Sequence, residues 1–142
     1  MTQSSPAAHR SHASAKVGLT MVKIAALYMV AGLSLGLFMG VSKDFTFTSV
    51  HSHVLLLGWA TMAVTGLAYV TMPRCASSGL ARLHFWGHNI GLPIMTAGLV
   101  MLILGSEAGE RLVAPGSTLV LLSLIAFAAN VLRNGGRELS SN

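Results

Sequence analysis

Four long apolar runs, at about 22–41, 50–72, 83–105 and 112–132, are separated by short polar stretches. Each run reaches, or nearly reaches, the ~20 residues that carry a helix across ~30 Å of hydrocarbon. None alternates apolar and polar positions over ~10 residues, as a membrane-barrel strand would. The pattern predicts an all-α integral membrane protein, a four-helix up-down unit spanning 16–135. Short connections make neighbouring helices antiparallel. Residues 1–15 are small and polar and are expected to form a disordered tail, with a second short tail at 136–142. The first stretch lacks the charged start, apolar core and small-residue cleavage site of a signal peptide.

Composition sharpens this reading. Of 142 residues, 53% are hydrophobic and only 9% charged, too few charges for a water-exposed surface. A net charge of +5 first suggests a nucleic-acid partner, but the basic residues punctuate apolar runs and form no stripe. The expected partner is the lipid bilayer, with no nucleic acid. Arg10, Lys16, Lys23, Arg74, Arg82, Arg133 and Arg137 fall on one side of the predicted topology, and only Lys43 and Arg111 on the other. Seven against two places both termini in the cytoplasm, in a multi-pass protein of the inner membrane. The single Cys75 excludes an internal disulfide framework, and its cytoplasmic loop implies a reduced thiol. No CxxC, CxxCH or Cys/His zinc spacing occurs, so c-type haem and zinc fingers are excluded. The eight methionines are scattered and form no soft-metal cluster, so copper is not expected.

Glycines recur every four residues at Gly32, Gly36 and Gly40, and again at Gly87 and Gly91. In lipid this spacing lets two backbones approach closely. Packing inside one four-helix unit and contact between subunits both satisfy it. The small interior of such a unit favours a homo-oligomer.

Histidine inside a membrane segment is costly and needs a task or a partner. His51 and His53 open the second helix at its outer end; His84 and His88 open the third at its inner end. From His53 to the inner end of its helix is roughly 28 Å at ~1.5 Å per residue, so the two pairs cannot ligate one metal ion or haem. If His51 and His53 are both helical, they project about 200° apart and serve different sides. Ligation of haem or metal by this first pair stands against interfacial histidines bonded to water or loop backbone. His84 and His88, at i and i+4, share a face and have the geometry for a second metal site or a hydrogen-bond network. A structural role is the default for His88 and Asn89, because Pro93 frees the carbonyl of Asn89 and bends the helix. The aromatics, Tyr69 and Trp86 among them, are explained as packing or interface anchors. His9 and His12 belong to the tail.

The order of residues through the middle of the chain resembles the haem-copper oxidase superfamily. His51-x-His53 leads to Gly58, Gly66, Tyr69 and Pro73-Arg74; Leu80, Arg82, His84-Phe85-Trp86 and Ile90-Gly91 follow. These correspond to the tenth and eleventh helices of the family's catalytic subunit. The resemblance covers about a third of the chain. It implies that His51 is the axial ligand of a high-spin haem and His53 a ligand of a low-spin haem, haem b in each case. It gives His84 a structural or proton-linked role and none to His88, and sets Arg111 where the family pairs basic residues with haem propionates. The family's adjacent His-His pair and its ligand histidine beside a tyrosine are absent here, so its copper or non-haem iron site has no visible ligands. The family's subunit resembles three four-helix arcs, which implies that this chain forms a homotrimer with haems shared between neighbours.

The expected function is therefore that of a membrane b-type haem protein. Two-histidine ligation suits electron transfer, and one-histidine ligation leaves a position for oxygen, nitric oxide or carbon monoxide. No catalytic residue and no electron donor can be named. The alternative is a docking, assembly or sensor subunit without haem. Transport is disfavoured by the lack of repeats or broken helices. Proton translocation is disfavoured because no Asp or Glu lies in an apolar run.

Overall fold

The computed structural model describes the backbone of residues 6–139 and side chains over 16–135. Among these residues there is no strand. Helix α1 runs Pro6–Ser42, followed by α2 (Thr48–His53), a π-helical segment (Val54–Thr61) and α3 (Met62–Thr71). A short α4 (Pro73–Ala76) leads to α5 (Gly79–Ile103), and a 3-10 turn (Glu107–Gly109) leads to α6 (Glu110–Leu139). Helix α2, the π segment and α3 form one rod, so four spans are long and apolar enough to cross a membrane: Lys16–Ser42, Thr48–Thr71, Gly79–Ile103 and Glu107–Gly135.

The spans match the predicted runs in number and start earlier than all four of them, for local reasons. Ser78 is extended (φ −76, ψ 158) and its Oγ accepts from the N–H of Ala81 at 3.1 Å, so α5 starts at Gly79 rather than at 83. An N-cap of this kind satisfies an otherwise unpaired first-turn donor, whatever the hydropathy of the residues after it. At the fourth span, Glu107 and Glu110 sit in first turns, where a carboxylate complements the helix dipole. The expected N-terminal tail differs more. Backbone from Pro6 onward is helical and continuous with the first span, consistent with proline at a first helical position and the alanines that follow. Residues 1–5 and 140–142 lie outside the described residues, as do the side chains of His9 and His12.

Contacts run in chain order. Helix α1 lies along α3 and the π segment, α5 meets α2 and the π segment, and α6 lies along α5, the most extensive of these contacts. The first and fourth spans are 17% and 22% buried, against 39% and 33% for the second and third, so the middle two are central and the outer two flank them. Leu27, Leu37, Val41 and Leu132 are among the large apolar side chains left exposed, as a lipid-facing surface requires.

Glycine allows the closest approaches. A Cβ at Gly98 would meet the Val113 nitrogen at 2.7 Å, and one at Gly116 the Met95 nitrogen at 2.5 Å. Gly87 and Gly91 face Ser123 and Gly116, so this glycine pair packs within the unit. Gly32 and Gly36 likewise face Leu55 and His51, whereas Gly40 has open space around it.

At the end of the bundle near the chain termini, Asn130 is fully buried. Its Nδ2 donates to the Cys75 carbonyl (2.9 Å), and its Oδ1 accepts from Ser78 Oγ (2.9 Å) and Asn134 Nδ2 (2.8 Å). One side chain thereby ties the α4–α5 connection to α6. We expect Asn130→Ala to cost about 2 kcal/mol, since buried partners lose their bonds and only water entry restores them. A lowered melting temperature in detergent, measured against Asn134→Ala, checks this.

Candidate functional site

The N-terminal end of the second span is set by the turn before it. Lys43 adopts a left-handed conformation (φ 58) just after α1 ends, and reverses the chain. Asp44 accepts from the Thr46 hydroxyl and from the Thr46 N–H (3.0 Å), which together hold its carboxyl below the usual carboxylate range. Thr48 Oγ1 donates to Phe45 O at 2.6 Å, and α2 starts there.

Both histidines of the His-x-His therefore lie within α2, which meets the helical condition for their projecting to different sides. His51 faces α1. Its Nδ1 is 2.9 Å from the Gly32 carbonyl, and its ring lies over Gly36, where a Cβ would come within 2.7 Å of Cε1. His53 Nδ1 is 2.8 Å from the Ser49 carbonyl one turn back. A carbonyl only accepts, so in each neutral ring the proton sits on Nδ1 and Nε2 carries the lone pair. Ligating histidines are held in this way, with one nitrogen donating to a fixed acceptor and the other presented to a metal. Arg111 lies exposed in the first turn of α6, at the same end of the bundle.

The second histidine pair is fully buried. Tyr69 Oη is 3.1 Å from His84 Nδ1, and the His84 and His88 rings meet edge to face at 5.7 Å between centroids. His88 Nε2 donates to the Leu57 carbonyl at 3.1 Å. Leu57 belongs to the π-helical segment, where i→i+5 bonding replaces the regular α-helical ladder.

This bond corrects the picture of two pairs separated by a membrane thickness. Leu57 is one turn from His53, so His88 reaches the level just below the first pair. The reason is the early start of α5, which puts His88 about 14 Å inside the bundle at ~1.5 Å per residue. A file of polar groups, Tyr69, His84, His88 and the Leu57 carbonyl, thus runs up the interior. His84 Nε2 and His88 Nδ1 have no hydrogen-bond partner. Asn89 donates to Phe85 O at 2.7 Å, so the side chains expected at the Asn89 carbonyl are engaged elsewhere. Pro93 is accommodated inside a continuous α5.

Among the described residues, no group of three or more His, Cys, Asp or Glu is placed to hold a metal ion. A centre built on these histidines would take one ring nitrogen from each imidazole and its remaining ligands from outside these side chains. Tyr69, expected as a packing or interface anchor, is fully buried in the core and is also bonded to His84; its place fifteen residues before a membrane histidine was the only sequence signal for that bond. Trp86, by contrast, is 60% exposed, as an interface anchor would be. Compared with known proteins, the chain matches no family model, no curated protein and no solved structure.

Proposed function

We propose that this chain is a b-type haem protein of the inner membrane, related to one third of a haem-copper oxidase catalytic subunit, with His51 and His53 as axial ligands and both termini cytoplasmic. One observation carries the reading: both rings are pinned through Nδ1 to backbone carbonyls, at 2.9 and 2.8 Å, which readies both Nε2 atoms for iron. The donor set fits, since imidazole is an ordinary axial ligand of b-type haem. When bound, that haem would supply a one-electron iron couple or a site for a diatomic gas.

The residues divide the work. Gly32 and Gly36 form the notch that orients His51. His53, about 200° around the same helix, serves the opposite side. Arg111, a cation at the same end, pairs with propionate carboxylates. Contacts in chain order and two weakly buried flanking spans support an open arc that closes as a homotrimer, in which His51 of one copy and His53 of the next flank one haem. This arrangement serves electron transfer when both positions are filled and gas binding when one is not.

Reduced-minus-oxidised spectra of the detergent-purified protein, expressed with ample haem, test the reading before and after carbon monoxide. A b-type spectrum with little carbon monoxide shift is the expected result. A large shift indicates an open haem. No haem signal overturns the proposal and leaves a docking, assembly or sensor subunit.

A further inference from the structure

A groove on the lipid-facing side of α5 and α6 has two contiguous parts that share Leu80 and Leu83. The part at the bundle end near the termini, of about 540 Å³, opens beside Arg133, Asn134 and Ser78. The part deeper in the span, of about 370 Å³, is almost wholly apolar, with a floor of small residues at Gly87, Ser123, Ala126 and Ala129. From Gly79 to Gly87 the trough runs about 12 Å along α5 at ~1.5 Å per residue, close to the ~15 Å of hydrocarbon in one leaflet.

Charge selects the occupant. Arg133 is exposed at the mouth, and no acidic residue lines either part. The acidic residues with described side chains, Asp44, Glu107 and Glu110, all lie at the opposite end of the bundle, while Arg74 and Arg82 share the end of Arg133. Ser78 Oγ and Asn134 Nδ2 are committed to Asn130, which leaves the guanidinium as the principal donor at the mouth. A guanidinium matches a phosphate in charge and in fork geometry.

We propose that this groove binds one anionic phospholipid from the leaflet on the side of the termini, with its phosphate at Arg133 and one acyl chain in the trough floored by Gly87 and Ala129. The site is independent of the histidines at the other end.

Native mass spectrometry of the full chain in detergent, titrated with phosphatidylglycerol and with phosphatidylcholine, tests it. Phosphatidylglycerol is expected to bind more tightly, because the ammonium of phosphatidylcholine offsets the charge of its phosphate, and Arg133→Gln to weaken phosphatidylglycerol roughly fivefold and phosphatidylcholine less. Ala129→Phe, which fills the trough, is expected to weaken both lipids at an unchanged melting temperature. Equal binding of the two lipids, or no effect of Arg133→Gln, overturns the proposal. So does an Ala129→Phe protein that keeps its lipid but loses self-association, since the groove is then covered by a second copy.

Discussion

On the proposed haem ligation, the His51→Ala protein is expected to show no b-type absorbance while remaining folded. His51 is half-buried against a glycine notch and makes one hydrogen bond, so its removal opens a small gap and leaves no buried charge. Loss of only an outer-shell partner lowers metal affinity by about 10–100-fold; loss of the ligand itself exceeds that, and haem occupancy should fall below detection at micromolar protein. His53→Ala should behave alike if each haem is shared between neighbouring copies. With haem supplied in excess, both variants should bind carbon monoxide, because one ligand is missing, and added imidazole should restore the parent spectrum. Gly36→Val separates positioning from ligation: its side chain displaces the His51 ring but removes no nitrogen. It should lower haem affinity about 10-fold without abolishing it. Unchanged haem content in all three proteins would remove these histidines from the ligand set.

The largest effect on stability is expected at the α5–α6 seam. A leucine at Gly116 would place Cβ 2.5 Å from the Met95 nitrogen and 2.8 Å from its Cα. Backbone atoms cannot rotate aside as a side-chain end does, so the helices must part along much of their contact. Overpacking typically costs about 1–3 kcal/mol, and a clash with backbone belongs at or above the top of that range. Gly116→Leu should therefore fail to give a folded unit in mild detergent, or should melt far below the parent. Gly40→Leu is the matched control, since nothing lies within 4 Å of its added Cβ and it should stay within about 0.5 kcal/mol. Equal behaviour of the two proteins would show that the seam does not hold the unit together.

The four spans were legible because an apolar run of membrane length has few other uses. The directions of His51 and His53 followed from helix geometry once both were helical. Less visible was the seam itself. Gly109, Gly116, Ser123 and Asn130 recur every seven residues, a period that the four-residue spacing of the other glycines does not reveal, and two of the four positions are not glycine. The depth of His88 was hidden by the early start of α5, where a single serine cap outweighed the hydropathy of the first turn. The π segment has no polarity signature at all. Val54–Thr61 is apolar but for its last residue, and composition does not distinguish which carbonyl each amide chooses. The carbonyl that receives His88 was therefore invisible before the backbone was known.

That π segment separates two angular settings on one rod. Above it, α2 is tied to α1 by His51 at Gly36 and the Gly32 carbonyl; below it, α3 is tied to α1 at Gly66 and to α5 by Tyr69 against His84. The widened turns take up the phase difference between these anchors, much as a gear of slightly different pitch lets two shafts mesh with separate partners. A regular α-helix would bind the two directions together, so that any rotation seating one end would unseat the other.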